Sequence, residues 1–160
     1  MFRSYVDLVP AGDVLARLSD QGGSARALFG GLDEARGNHA YAAGKWTVKR
    51  LLQHLADGER LFCYRAMCIA RGDATPLPGF DEDVYAQHDG TETRALTDVL
   101  DDFLAVRAAT CTLFAGFDAA AWQRCGVAND SPVSVRAMPW IIAGHELHHR
   151  VVLRERYGVG

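Results

Sequence analysis

Gly144-His145-Glu146-Leu147-His148-His149 is the stretch of sequence on which the fold and the chemistry of this chain depend. It lies within residues 134–157, where apolar residues recur at the spacing of a helix. One face of this predicted helix carries two histidines among aliphatic side chains: Met138, Ile141, Ile142, His145, His149, Val152 and Leu153. His145 and His149 are four residues apart, so they point the same way, one turn above the other. Because a buried imidazole needs a partner for its lone pair, the two histidines predict a metal site on the core-facing side of the helix.

The same letters match the H-E-x-x-H pattern of zinc metalloproteases, in which the glutamate is a general base. Those enzymes usually take a further ligand from downstream of the helix. Here the residues that follow His149 contain no His, Asp or Cys, and Glu155 belongs to the same predicted helix. Glu146 lies about 100° around the helix from His145. We therefore interpret Glu146 as a solvated helix residue and expect the third ligand upstream.

Composition excludes several classes of protein. The 160 residues are enough for one domain with a core, spanning 1–160, and 49% of them are hydrophobic. The net charge of −3 is spread along the chain, which argues against a nucleic-acid-binding face or a membrane-binding patch. No apolar run has the length of a membrane span, and the first residues lack a signal-peptide core. We expect a cytoplasmic protein.

The cysteines do not suggest a metal site. The chain has four, Cys63, Cys68, Cys111 and Cys125, and none is part of a C-x-x-C motif. Cys63 and Cys68 would lie about 140° apart on a helix, so they do not easily share an ion. We interpret all four as buried free thiols in a reducing compartment.

Helical periodicity dominates the rest of the chain and predicts an all-α fold, a four-helix bundle. The predicted long helices span residues 10–32, 47–71, 92–115 and 134–157, with Ser134 as the candidate cap of the last. Thr47 is a good N-cap for the second helix and Gly72 ends it, while Asp118 caps a short helix that runs to Arg124. Residues 1–9 are expected to be strand or coil and 129–132 a turn, and no alternating pattern predicts a sheet. The long crossover between the second and third helices, residues 73–91, is either a functional loop or a surface connection.

His54, in the middle of the second predicted helix, is the candidate third ligand. It shares an apolar face with Leu51, Leu61 and Ile69, and Gly58 leaves open space one turn further on. Asp57 is close enough to hydrogen-bond to His54 or to a bound water. A lone histidine on such a face is also compatible with a satisfied core residue, so spacing alone leaves both interpretations open.

Three segments stand in a characteristic order: Lys45-Trp46-Thr47-Val48-Lys49-Arg50-Leu51-Leu52-Gln53-His54-Leu55-Ala56-Asp57, Arg71-Gly72-Asp73 and Gly144-His145-Glu146-Leu147-His148-His149. Together they resemble the DinB/YfiT-like family over nearly the whole chain. The resemblance implies a four-helix bundle and a divalent metal held by three histidines, which correspond to His54, His145 and His149. It also implies, in part, a homodimer formed through helix faces. His148 is interpreted as a residue of the rim or as a hydrogen-bond donor behind a metal ligand, and His39 and His88 as solvent-exposed loop residues.

Three neutral imidazoles leave a divalent ion with its full charge and an open position, which is typical of catalytic sites. Imidazole ligands suit zinc, nickel or iron. The resemblance implies an S-transferase that depends on a low-molecular-weight thiol, or a related metal-dependent hydrolase, acting on a small-molecule substrate. Candidate catalytic residues are Asp57, Glu146, His148 and Arg65, with no role assigned to any. The alternative is a non-catalytic metal-binding protein of the stress response, or a scaffold.

Overall fold

The computed structural model describes residues 3–160, and four long helices form its framework. The helices are α1 (Arg3–Val6), α2 (Val14–Gly30), α3 (Glu34–Gly37), α4 (Val48–Ala70), α5 (Glu82–Gln87), α6 (Leu96–Ala115), α7 (Ala119–Gln123) and α8 (Met138–Val152). Two short strands, β1 (Cys125–Ala128) and β2 (Ser131–Ser134), precede α8, and a π-helical turn at Leu153–Tyr157 extends it. The predicted helical bundle is confirmed. Among the described residues, no helix is both long and apolar enough to cross a membrane.

The helix ends follow their capping residues. The Thr47 hydroxyl accepts a hydrogen bond from the amide of Arg50 and starts α4, and Gly72, with a φ of +84°, follows its end, both as predicted. The predicted start of the first long helix at Pro10 is wrong, because the carboxylate of Asp13 caps that helix three residues later. α6 likewise begins at 96 rather than 92, after a separate 3₁₀ turn over Thr91–Thr93.

Two segments differ in type from the prediction. Residues 3–6 form a helical turn rather than strand or coil. β1 and β2 form an antiparallel hairpin that the sequence did not predict, because strands of four residues are too short to show alternation. Its turn is the predicted one, with Asn129 and Asp130 both left-handed at φ values of 51° and 56°. Ser134 therefore ends a strand, and its hydroxyl caps the 3₁₀ turn that leads into α8.

The four long helices form a ring in which α4 and α2 each pack against both α6 and α8. α4 and α6 run in the same direction, since the N-terminal halves of both pack in one hydrophobic cluster and the C-terminal ends in another. Parallel neighbours need a connection as long as the bundle, about 30 Å for a helix of this length. Residues 71–95 make that crossover, and α5 lies within it.

A polar layer separates the two hydrophobic clusters. One cluster contains Leu18, Phe62, Phe114 and Ile141, and the other contains Phe29, Leu52, Phe103 and Leu153. Between them on the long helices lie four buried polar residues: Glu59, Arg107, His145 and Glu146. The site of interest is therefore at mid-height of the bundle, held from both ends by packed apolar side chains.

Arg107 ties all four long helices together within this layer. Its guanidinium donates two hydrogen bonds of 2.8 Å to Glu59 on α4, one of 2.8 Å to Glu146 on α8 and one of 2.9 Å to the carbonyl of Leu18 on α2. Gly22 makes room for it, because a Cβ there would lie 3.2 Å from Cγ of Arg107. Burial alone would lower the pKa of Arg107, but Glu59 and Glu146 raise it. The layer thus fixes how α8 is placed against α4.

Candidate metal centre

Three imidazoles converge at mid-height of the bundle. His54 projects from α4, and His145 and His149 project from α8. Nε2 of His145 lies 3.0 Å from Nε2 of His54 and 3.1 Å from Nε2 of His149. Among residues 3–160 this is the one group of three or more His, Cys, Asp or Glu side chains close enough to hold an ion. The structure therefore brings together the three histidines that the sequence pattern and the family resemblance pointed to.

Gly58 allows the two helices to approach. A Cβ at this position would lie 3.2 Å from Cε1 and 3.6 Å from Nδ1 of His145. The space predicted to be open beside Gly58 is therefore not open, because the His145 ring fills it. A side chain on α4 at this point would push the ring away from His54.

The surroundings keep these histidines neutral. Burial, together with the neighbouring His54 and His148, lowers the pKa of His145 to about 3. Burial also lowers the pKa of His149 to about 2, again with contributions from nearby histidines. The pKa of His54 is lowered by burial and is partly restored by Glu82, Asp57 and Asp83. Neutral imidazoles are the form that binds a metal ion.

The spacing of the nitrogens fits a metal ion. A tetrahedral ion with metal–nitrogen bonds of about 2.0–2.1 Å places its ligand nitrogens about 3.3 Å apart. The two Nε2 separations of 3.0 and 3.1 Å are close to that value. Nδ1 of His149 is buried without a hydrogen-bond partner among the described atoms. Three buried or half-buried imidazole lone pairs that cannot all be satisfied by one another are the donor set that a divalent cation requires.

A cavity of about 510 Å³ opens beside the histidines. Its wall is largely aromatic, and the lining residues are Tyr5, Trp46, His54, Gly58, Phe62, Arg65, Phe80, Glu82, Asn129, His145, His148 and His149. The volume and the apolar wall are typical of small-molecule sites. The crossover contributes Phe80 and Glu82, so of the two interpretations of residues 73–91 the structure favours a loop that shapes the site.

Two contacts fix the mouth of the cavity. The crossover pairs with the hairpin, since the amide of Leu77 donates to the carbonyl of Val127 and the amide of Asn129 donates to the carbonyl of Leu77, both at 3.0 Å. On the other side α1 packs backbone against backbone on Gly144, where a Cβ would overlap the carbonyl oxygen of Tyr5. The Tyr5 ring consequently lies edge-on to His145, with 5.3 Å between ring centroids.

Of the four candidate catalytic residues, His148 and Arg65 line the cavity, whereas Asp57 and Glu146 do not. His148 is exposed at the rim, as predicted, and Arg65 is buried in the wall. Asp57 lies outside this cavity and accepts hydrogen bonds from Gln53 and Arg60 instead of from His54. The interpretation of Glu146 as a solvated residue is wrong, because only 2% of it is exposed.

The carboxylate of Glu146 points away from the cavity. It accepts hydrogen bonds of 2.8 Å from Arg107 and of 2.8 Å from Arg150. The helical wheel could not reveal this, because Arg107 comes from another helix. Glu146 therefore helps to position α8 and leaves the histidine cavity without the glutamate base of the H-E-x-x-H pattern.

The sequence did not identify several wall residues. Tyr5, Phe80 and Glu82 lie in segments without periodicity, and only their tertiary contacts bring them to the histidines. The cysteines are outside the cavity wall, and all four are free. The prediction that all are buried is wrong for Cys125, which is exposed, and Cys63, Cys68 and Cys111 are half-buried.

Comparison with known proteins supports this fold. The DinB superfamily matches residues 17–153 of the chain. YfiT from Bacillus subtilis, a probable metal-dependent hydrolase with an unusual four-helix bundle topology, is 15% identical, with a TM-score of 0.75 over 95% of this chain and 94% of its own. The mycothiol-dependent maleylpyruvate isomerase is also 15% identical, with a TM-score of 0.75 over 96% of this chain. This chain covers 63% of that isomerase, less than two thirds of its length. No curated protein sequence matches the chain.

Proposed function

Because the chain belongs to the DinB superfamily, we propose that its three convergent histidines, His54, His145 and His149, bind one divalent metal ion at a catalytic site. The observation that carries this proposal is the convergence of three neutral imidazoles, one buried and two half-buried, with Nε2 of His145 3.0 Å from Nε2 of His54 and 3.1 Å from Nε2 of His149, beside an aromatic cavity. Zinc, nickel and iron suit this ligand set. An ion with three imidazole ligands retains its charge, and it lowers the pKa of a thiol or a water bound in the open position.

The reaction that the site supports best is the transfer of a low-molecular-weight thiol to a small electrophilic substrate. A hydrolase needs a general base close to its nucleophilic water. Here Glu146 is held by Arg107 and Arg150, and Asp57 by Gln53 and Arg60. A thiol ionised at the centre needs no such carboxylate. The aromatic wall would hold the electrophile and exclude water from the reacting atoms.

A metal-dependent hydrolase is the second candidate, and His148 favours it. This side chain is exposed at the rim, with its ring centroid 5.6 Å from Tyr5 and 5.1 Å from His149. An imidazole in that position is able to take a proton from a water in the cavity and to release it to solvent. His148→Ala therefore separates the two reactions, since hydrolysis should fall by about a hundredfold or more and thiol transfer much less.

A purely structural metal, as in a scaffold or stress protein, is less well supported. Structural zinc sites usually have four protein ligands. Among the described residues no fourth His, Cys, Asp or Glu joins the cluster. Two packed hydrophobic clusters also provide a core that does not depend on an ion. We therefore expect the metal-free protein to remain folded.

Elemental analysis of protein purified without a metal-affinity tag tests the proposal. We expect about one divalent ion per chain, and less than a tenth of that in His145→Ala and His149→Ala. His39→Ala is the matched control, because His39 is exposed and lies outside the cavity. Full metal content in the two cavity variants would contradict the assignment. Turnover of thiols with small electrophiles should follow the metal content, and turnover that is equal in metal-free protein would exclude a catalytic ion.

We further propose that the protein is a cytoplasmic homodimer. Two large apolar side chains, Tyr64 and Met67, are 52% and 40% exposed on the outer side of α4 and would be covered by a helix-face contact. Light scattering should give twice the chain mass of 17.5 kDa. A constant monomer mass over the accessible concentrations would refute the dimer.

A further inference from the structure

Arg65 is a buried cation that has no buried carboxylate beside it in the part of the chain that the structure describes. Only 4% of Arg65 is exposed. Its one hydrogen bond in the described structure runs from Nη2 to the carbonyl of Pro78, at 2.6 Å. The other buried cations each have a carboxylate, since Lys49 pairs with Glu34 and Arg107 with Glu59 and Glu146. No carboxylate of residues 3–160 lies within 4.0 Å of the Arg65 guanidinium. Burying an unpaired charge is costly, so this arrangement calls for an anion that residues 3–160 do not supply.

Arg65 belongs to the wall of the histidine cavity. His54, Gly58, Phe62 and Arg65 all line the cavity, and they follow one another at helical spacing on one face of α4. The guanidinium carbon lies 5.9 Å from the centre of the Phe62 ring, which is 5.9 Å from the centre of the His145 ring. These two contacts limit the separation between the guanidinium carbon and the His145 ring to about 12 Å. A guanidinium–carboxylate contact and a coordination bond occupy part of that distance, which leaves room for a chain of a few carbon atoms.

The charges of the cavity are arranged along its length. Glu82 is the carboxylate among the lining residues, and it lies towards Tyr5 and His54, whose pKa values it raises. Burial lowers the pKa of Arg65. An anionic group that enters the cavity is repelled at the Glu82 end and attracted at the Arg65 end.

From this geometry we infer that Arg65 binds the carboxylate of a small organic acid, so that the histidine cavity takes a ligand with a carboxylate at one end and its reacting atom at the other. A guanidinium offers several donors in a planar fork, which suits a carboxylate. The inference names a substrate class for the site and rests on the proposed function for its catalytic meaning. The binding of the carboxylate itself does not require a metal, so it is tested separately.

The test uses metal-free protein, because a metal ion would bind a carboxylate by itself. Calorimetric titration with butyrate is compared with titration with butyramide, which has the same chain without the charge. We expect butyrate to bind at least about tenfold more tightly, as hydrogen bonds to charged groups contribute more than neutral ones. Equal affinity for the two probes in the wild-type protein would overturn the inference, and this comparison does not depend on any variant.

The variants assign the effect to Arg65. Arg65→Gln retains an N–H donor for the Pro78 carbonyl but loses the charge, and it should weaken butyrate binding about tenfold or more. Arg65→Lys should retain part of the affinity. Arg124→Gln is the control, because Arg124 also donates to a backbone carbonyl, that of Ala70 at 2.7 Å, but lies outside the cavity. Unchanged butyrate binding in a folded Arg65→Gln protein would refute the assignment.

Two further measurements separate this inference from the proposed function. As purified, Arg65→Gln and the wild-type protein should have the same metal content. If Arg65→Gln keeps that metal content but loses butyrate binding in its metal-free form, the result supports this inference and leaves the metal site unaffected. Absence of metal from the wild-type protein together with Arg65-dependent butyrate binding would refute the metal site and leave the inference standing. Glutathione, a thiol that carries carboxylates, identifies the source of the group. If glutathione displaces butyrate, the carboxylate belongs to the thiol, and if both bind together, it belongs to the electrophile.

Discussion

Replacing Gly58 by alanine changes the metal centre without removing a ligand. The new methyl carbon would lie 3.2 Å from Cε1 of His145, inside the ordinary contact distance of at least 3.4 Å. The ring must therefore shift by a few tenths of an ångström. Metal–ligand distances in functional sites stay within about 0.2 Å of their ideal values. We expect Gly58→Ala to weaken metal binding about tenfold or more, a loss typical of changes that disturb the orientation of a ligand.

Stability should respond differently from metal affinity. Alanine in the interior of a helix is more favourable than glycine by about 1 kcal/mol. The contact with His145 offsets part of that gain, so the net change for Gly58→Ala should be within about 1 kcal/mol. In a chain of this size that corresponds to about 2–4 °C in melting temperature. The variant should therefore be folded, with near-normal melting in the metal-free form and a smaller stabilisation by metal.

Gly23→Ala is the matched control, because a Cβ at Gly23 has no atom within 4 Å and the residue is also inside a helix. The assay is a competitive titration of zinc against a chromophoric chelator, with melting curves for metal-free and loaded protein. Gly23→Ala should raise the melting temperature and leave zinc affinity unchanged. Equal zinc affinity in Gly58→Ala and wild type would refute the argument that Gly58 sets the position of the His145 ring.

Two other predictions follow from the site. The folded-state pKa values of about 3 for His145 and about 2 for His149 lie below the unfolded value of about 6.5, so the unfolded metal-free protein binds protons first as the pH falls. The contribution of these two residues to stability should be almost fully present above about pH 7.5 and should fall by about 3 kcal/mol between pH 7.5 and 5.5. Urea unfolding at both pH values measures it, and a His145→Asn, His149→Asn double variant with the same pH dependence would contradict it. Gly144→Ala should displace α1, because the added carbon overlaps the Tyr5 carbonyl. Trypsin should then cleave faster after Arg3, while Gly23→Ala should not change the rate, and equal rates in both would argue against the contact.

The sequence was sufficient to predict those features of the fold and of the site that depend on local periodicity and helix capping. The stripe that contains His145 and His149 is one face of α8, and the Thr47 cap and Gly72 fix α4 around His54. A histidine on a helix face is readable because successive residues turn by a constant angle. Family resemblance then linked His54 to the pair on α8, which no local pattern does.

Tertiary structure alone decided which partner each buried polar residue has. Glu146 lies at the edge of the histidine stripe, yet its carboxylate binds Arg107, which is 39 residues away on α6. Arg65 lies on the His54 face, but only packing shows that it borders the cavity and that no carboxylate of residues 3–160 pairs with it. The strands of four residues and the turn that carries Tyr5 are too short for a periodic signal. Helical spacing determines the direction of a side chain from its own axis, whereas its partner depends on how the helices pack in the ring, and that is a property of the whole chain.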